Sequence, residues 1–509
     1  MINKILDNRF IIIYLLPFCL GGLTVFSFQP FNFSYINFIL LPIFFSLVAF
    51  VSKRTKSVYR KKPYKKNLFL IGFIFGFGFY LSGIHWITYS LTFDESFKFL
   101  IPFALIFIPL FLGLFMGLTI FIIGPFINYN ISSVLLFSGS FALSEYIRGK
   151  ILTGFPWNLI GYSWSWFTEV LQILNYSGVY AFNLIAITVF TVPIVIFFRI
   201  KLISKMIVLS LTFVLLFSIY LYGTFSINKN RGLLNYLNKD EKIYVKVISP
   251  NFKLDYNSSI KDIEDKLNKV IRYSDPDKSK RTIFIWPEGI FTGYTFDEIL
   301  NFKDIIKKSY GKSHLILFGI NSINKKNGNY FNSLILVNHE LKILYKYNKR
   351  KLVPFGEFLP FEEKLKKLGF KNITRGYNSF SPGKKIELLI VDSLKILPSI
   401  CYEIIFPELI QEIKTTNLIV NLSEDAWFGK SIGPHQHFSK AIFRAIENNS
   451  YLARSTNKGI SAFINNKGQI IKFLNPNESG NIELKVPTVH SEQKNKNDLI
   501  FFILLFTYI

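Results

Sequence analysis

Cysteine is nearly absent, with two in 509 residues, Cys19 and Cys401. They sit in segments of opposite character, one apolar and one polar. No disulfide framework is expected, and no C-x-x-C spacing is present to hold zinc. A G-x-S-x-G elbow and a phosphate-binding P-loop are also missing, so neither motif points to serine-hydrolase or nucleotide chemistry. Acidic residues are scarce, 33 against 59 basic, for a formal charge of +26. Such an excess can mark a nucleic-acid binder. Here the basic residues scatter through the second half without an RNA-binding signature. The joint wealth of Lys, Asn, Ile and Phe is what A+T-rich coding would produce, and no nucleic-acid partner is expected.

Apolar residues are what the chain has in quantity. Half the residues are hydrophobic and mean hydropathy is +0.32, which is unlike a soluble protein. About seven apolar segments precede residue 228, at roughly 10–28, 33–52, 67–90, 98–127, 132–147, 170–198 and 203–226. Most reach the ~20 residues that cross a ~30 Å hydrocarbon core. The first follows Lys4 and Arg9 without a small-residue cleavage site and reads as a retained anchor. Lys53, Arg54, Lys56, Arg60, Lys61, Lys62, Lys65 and Lys66 crowd the second loop, and Arg199, Lys201 and Lys205 mark the sixth. Positive loops stay cytoplasmic. The N-terminus is therefore expected inside, and the polar region after the seventh crossing outside.

Three domains are expected: 1–227 in the membrane, 228–497 outside, and an apolar segment at 498–509 that begins a final span. At ~1.5 Å per residue, eleven helical residues cover only ~17 Å. Near the end of the fifth segment, Glu145 and Arg148 are either functional or anchored at headgroup level. Gly154, Pro156 and Trp157 suit a bent interfacial stretch, and His85 with Trp86 an interfacial belt.

From 229 onward the chain turns polar. Strands are expected at 243–249, 282–287, 314–319, 333–337, 396–401, 418–423 and 460–465, and helices at 257–273, 296–309, 361–368, 405–415 and 434–450. Alternation of this kind predicts a layered α/β domain.

Three polar groups fall at or near the expected strand ends, where α/β folds place sites. These are Glu288 in F-I-W-P-E-G, Lys349 in Y-N-K-R-K-L-V-P-F-G-E, and Cys401 in I-C-Y-E. Taken singly, each has an ordinary explanation: a cap or surface carboxylate, one basic residue among three, a small buried hydrophobe. Together they make a coherent set. A thiol needs a base to become a nucleophile at neutral pH, a carboxylate can serve as that base, and an ammonium stabilises the oxyanion that follows attack on a carbonyl. Glu357 is placed to hold Lys349. His435 and His437 form H-x-H in what reads as a loop, with no further metal ligands in view. Neither metal nor cofactor is expected.

W-P-E-G, N-K-R-K-L-V-P-F-G-E and I-C-Y-E resemble the nitrilase, or carbon–nitrogen hydrolase, superfamily, whose site is a Glu-Lys-Cys triad on an α-β-β-α sandwich. Adding the multi-pass α-helical membrane half, R-G-K-I-L-T-G-F-P-W, N-L-S-E-D-A-W-F-G-K-S-I-G-P-H-Q-H and R-S-T-N-K-G-I-S-A, nearly the whole chain resembles the apolipoprotein N-acyltransferase family.

That resemblance implies transfer of an acyl chain from a phospholipid, through a cysteine thioester, to the α-amino group of the diacylglyceryl-cysteine of an apolipoprotein. It implies an inner-membrane location with a periplasmic catalytic domain. Glu288 would be the base, Lys349 the oxyanion stabiliser and Cys401 the nucleophile, with Glu357, Tyr402 and Glu403 in support. The family's tryptophan after the first strand is missing from S-P-N-F-K-L-D-Y-N, where Leu254 or Tyr256 could stand in. The rivals are a membrane-tethered amidase of small amides and a non-enzymatic scaffold that keeps the fold.

Overall fold

The computed structural model describes residues 8–53, 64–237, 243–255, 258–360, 362–367, 379–413, 415–487 and 498–509. Tyr256, much of the basic loop 53–66 and the ends of the expected helix 361–368 lie outside these residues. The chain divides into two compact units, Met1–Phe225 with Asn495–Ile509, and Ser226–Lys494.

In the first unit, five helices among the described residues are long and apolar enough to cross a bilayer, rather than the seven expected. They are Ser34–Ser52, Tyr64–Phe93, Glu95–Phe126, Leu174–Phe197 and Leu202–Arg231. The first expected segment is a shorter helix, Ile11–Ser27, which passes from π through α to 3-10 geometry. The fifth is the helix Ile131–Lys150, made less apolar by five serines and by Glu145, Arg148 and Lys150. Small residues set the closest packing. A Cβ on Gly76 would stand 2.8 Å from the Gly113 backbone, so the helices carrying them approach in the manner of small-xxx-small pairs.

Glu145 and Arg148 are buried within this unit. They lie 3.7 Å apart, Asn183 donates to Glu145 at 2.6 Å, and Arg148 donates to the Phe155 carbonyl. The terminal helix Leu499–Tyr508 is held by a Tyr146 hydroxyl donating to Asp498 at 3.0 Å and by Lys150 at 3.3 Å from the same carboxylate.

The second unit has twelve strands among its described residues: β1 (Tyr244–Ser249), β2 (Thr282–Ile285), β3 (His314–Ile323), β4 (Tyr330–Asn338), β5 (Ile343–Asn348), β6 (Leu389–Val391), β7 (Leu394–Ile400), β8 (Leu418–Glu424), β9 (Tyr451–Asn457), β10 (Ser461–Ile464), β11 (Ile470–Leu474) and β12 (Gly480–Lys485). They form two six-stranded sheets, ordered β12-β1-β2-β3-β4-β5 and β11-β10-β9-β8-β7-β6. In each sheet three neighbouring strands are parallel, β1-β2-β3 in one and β7-β8-β9 in the other. The sheets pack face to face: the buried Ser455 hydroxyl of β9 donates across to the Ile248 and Ile285 carbonyls at 2.8 and 3.1 Å.

Helix Ile260–Ser274 opens with a Ser259/Asp262 capping box. It buries Ile263, Leu267 and Val270 against Phe284, Trp286, Ile316 and Phe318, and Trp286 donates to Ser274 at 3.0 Å. Helix Gly433–Glu447 contributes a second buried face. The result is the expected multi-pass helical half followed by an α-β-β-α sandwich.

Five strands were not expected from the sequence: β5, β6, β9, β11 and β12. β6 has only three residues, and β5, β11 and β12 show the mixed exposure of edge strands. β9 is buried along its whole length, yet it reads Y-L-A-R-S-T-N. Polar residues that point inward hide a strand's apolar signature. Two further expectations change. Cys401 lies just beyond β7, in a 3-10 turn. His435 and His437 are helical, in the first turns of Gly433–Glu447 behind a proline, not in a loop.

Candidate active site

The expected site residues emerge from strand ends in the second unit. Glu288 follows β2 in a tight turn in which Gly289 has φ +80°. Its Oε1 accepts from the Asn332 amide at 2.7 Å and its Oε2 from the Glu424 backbone N–H at 3.1 Å. Lys349 immediately follows β5 and is 1% exposed. Its N–H donates to the Asn332 carbonyl at 2.8 Å. Its Nζ donates to Glu357 Oε1 at 2.9 Å and stands 3.7 Å from Glu288 Oε1. Asn332 also donates to Glu357 Oε1 at 2.7 Å, and Glu357 Oε2 accepts from the Val353 N–H at 2.8 Å. One amide therefore bridges the two carboxylates that face the lysine.

Cys401 occupies left-handed backbone, φ +49°. For a residue other than glycine such a conformation costs about 1–3 kcal/mol and must be held by its surroundings. The thiol is buried. Burial raises its pKa, Glu288 adds to this, and Lys349 opposes it. The resting group is the protonated thiol, which needs a base as it attacks. Burial works against the Lys349 ammonium, but Glu357 and Glu288 outweigh it and the net shift is upward. A buried cation of this kind is tolerable because carboxylates pair with it.

The supporting residues divide. Glu403 is buried, and burial raises its pKa. It accepts from the Tyr347 hydroxyl at 2.7 Å, the Arg350 N–H at 2.7 Å and the Ile400 N–H at 2.8 Å. It thus ties the backbone just before Cys401 to the backbone just after Lys349. Tyr402 is half-buried and packs edge-on against Phe406 at 5.0 Å. Leu254 is buried; Phe252 nearby donates its N–H to Asn457 at 2.7 Å.

Several residues around the site were not singled out in the sequence. Asn332 belongs to β4, which begins three residues earlier than expected. Glu424 is buried, with its pKa raised well above the usual range by burial, and accepts from Asn457 at 2.8 Å. Asp425, His437 and Arg454 form a buried polar group. Each lies inside a quoted stretch, N-L-S-E-D, G-P-H-Q-H or R-S-T-N; His437 stood out there only as half of H-x-H, and nothing local distinguishes Asp425 or Arg454 from its neighbours. Among the described residues, no cluster of His, Cys, Asp and Glu suits a metal ion.

Residues 20–192 match the apolipoprotein N-acyltransferase N-terminal domain, and 257–491 match the carbon-nitrogen hydrolase domain. The apolipoprotein N-acyltransferase of Rhizobium etli (strain CIAT 652) is 30% identical over 483 residues, covering 92% of this chain and 89% of that one. Its counterpart in Rickettsia prowazekii (strain Madrid E) is 31% identical over 490 residues, covering 92% and 95%. Among solved structures, an amidase from Nesterenkonia sp. AN1 is similar, with 15% identity, 49% of this chain and 92% of that chain covered, and a TM-score of 0.34. With the similarity to named relatives running through the membrane half and the α/β half alike, the chain belongs to the apolipoprotein N-acyltransferase family.

Proposed function

We propose that this N-acyltransferase carries its acyl group on Cys401, taking it from a phospholipid and passing it to the α-amino group of a diacylglyceryl-cysteine on an apolipoprotein. Glu288 takes the thiol proton as Sγ attacks the phospholipid ester carbonyl. Lys349 stabilises the oxyanion. Collapse expels the lysophospholipid oxygen, which receives that proton from Glu288, and leaves a thioester. The acceptor amine then attacks the thioester, and Glu288 takes its proton. The second collapse forms the amide and returns the proton to the Cys401 sulfur. The two half-reactions make a ping-pong sequence. Glu357 holds Lys349 in place, while Tyr402 and Glu403 shape the surroundings of the thiol.

The observation that supports this reading best is the lysine's position: its ammonium is buried beside Glu357 and Glu288. The distribution of positive loops supports an inner-membrane enzyme with residues 228–497 on the periplasmic side.

The test is intact-protein mass spectrometry after incubation with phospholipid. A hydroxylamine-labile acyl adduct on Cys401 is expected, and none in Cys401→Ala. An equal adduct in Cys401→Ala would overturn the mechanism. Cleavage of soluble amides without any acylation would favour an amidase.

A further inference from the structure

Three residues with no part in the chemistry above, Asp425, His437 and Arg454, form one network that reaches the backbone of Cys401 through His437. His437, fully buried in helix Gly433–Glu447, places Nε2 at 3.2 Å from the Cys401 carbonyl oxygen. A carbonyl only accepts, so Nε2 carries the hydrogen. The Nδ1 side faces Arg454 Nη2 at 3.0 Å and Asp425 Oδ1 at 3.1 Å. Arg454 donates to Asp425 Oδ2 at 2.9 Å and also to Asn421 of β8. Burial, with Arg454 next, lowers the His437 pKa to about 4. The ring is therefore neutral, donating through Nε2 and accepting at Nδ1 from Arg454.

Asp425 has a second arm. Ser423 donates to its Oδ1 at 2.7 Å. Burial alone would lift the Asp425 carboxyl, but the Arg454 guanidinium leads the groups that outweigh it, and the pKa falls to about 2. One charged carboxylate thus anchors the guanidinium of Arg454, which in turn holds the ring that reaches the nucleophile's carbonyl.

We infer that His437 is a positioning residue for acyl transfer: held by Asp425 and Arg454, it clamps the Cys401 carbonyl and keeps the nucleophile in its left-handed conformation with the sulfur aimed at the donor ester. The inference rests on the proposal that Cys401 is the acyl carrier. It assigns one role to three motif stretches that otherwise have none. His437 touches no reacting atom. Its effect should appear in the rate of the chemical step, not in phospholipid binding.

Two substitutions of similar shape separate clamp from filler. His437→Gln keeps an N–H donor near the carbonyl, and His437→Met has none. The full-length protein in detergent is mixed with phosphatidylethanolamine micelles, and single-turnover acylation of Cys401 is followed by intact mass. His437→Met should lower the maximal rate about tenfold or more with the half-saturating phospholipid concentration nearly unchanged, and His437→Gln should recover most of the loss. Equal rates in the two variants, or a loss confined to the half-saturating concentration, would overturn the clamp.

Alkylation of Cys401 by iodoacetamide, located by peptide mass, gives a readout that needs no phospholipid. It should fall in His437→Met and hold in His437→Gln. If the wild type forms no phospholipid adduct while the alkylation rates still separate the variants, the acyl-carrier proposal fails and the clamp survives. If the wild type forms the adduct and the alkylation rates coincide, the clamp fails alone.

Discussion

Asn332→Ala should slow acylation far more than it destabilises the fold. The Asn332 amide donates to Glu288 and to Glu357, each at 2.7 Å, so both bonds end on carboxylates. Hydrogen bonds to charged partners contribute roughly 1.5–3 kcal/mol each. After truncation Glu357 keeps Lys349 at 2.9 Å and the Val353 N–H. Glu288 keeps only the Glu424 N–H at 3.1 Å, with Lys349 at 3.7 Å, beyond hydrogen-bond reach. The proposed base is therefore the group released. If about 2 kcal/mol of its positioning is lost from the transition state, the single-turnover rate falls about 30-fold.

Asn332→Asp should be worse. It sets a third carboxylate against a single ammonium, and like charges ~4 Å apart repel by about 4 kcal/mol at an effective dielectric of ~20. The assay is acyl-enzyme formation by intact mass, with the thermal midpoint measured on the same samples. An Asn332→Ala protein that acylates within about threefold of wild type would refute a positioning role for the amide.

Gly289→Ala should impair the same base from the other side, because φ is +80° and the added Cβ would overlap the Glu424 carboxylate; an acylation rate equal to wild type would contradict this. Tyr347→Phe removes one donor from Glu403 and should lower stability by about 1–3 kcal/mol, read as a fall in the thermal midpoint. Asp425 has a folded pKa of about 2, below its unfolded value of ~3.9. Its contribution is present above the unfolded value and is lost as pH falls through the folded one. At ~1.4 kcal/mol per unit this amounts to about 2.7 kcal/mol. Asp425→Asn should therefore be less stable than wild type at pH ~6, with the gap narrowing toward pH ~2; a constant gap would show that the carboxylate's charge contributes nothing.

Much of the architecture can be read locally. The apolar segments, the change to polar composition near residue 229 and the alternation of β8 and helix Gly433–Glu447 come from composition and period alone. So does the coincidence of Glu288, Lys349 and Cys401 with strand ends. Edge strands such as β5 could not be read this way, because a partly exposed strand lacks a clean apolar face. Nor could β9, which buries polar Arg454 on one face and polar Ser455 on the other. Two of the seven expected segments form helices unlike the other five: Ile11–Ser27 is shorter, and in Ile131–Lys150 serines and ionisable residues interrupt an otherwise apolar helix. His437 looked like part of a turn, although it lies inside the helix expected at 434–450, because Gly433 and Pro434 mark turns as well as helix starts.

The sequence alone determined that a membrane half precedes an α/β half and that one thiol, one carboxylate and one ammonium stand where such folds place chemistry. Those are short-range properties of neighbouring residues. The tertiary structure decided what each group meets: Lys349 beside two carboxylates, one amide of Asn332 joining them, and Asp425, His437 and Arg454 ending on the carbonyl of Cys401. A buried polar side chain takes its role from its partners, and here those partners come from strands and helices far apart in the chain. Strand order within each sheet brings these partners within hydrogen-bond reach, and the packing of the two sheets joins the sets through Glu424 with Glu288 and Tyr347 with Glu403.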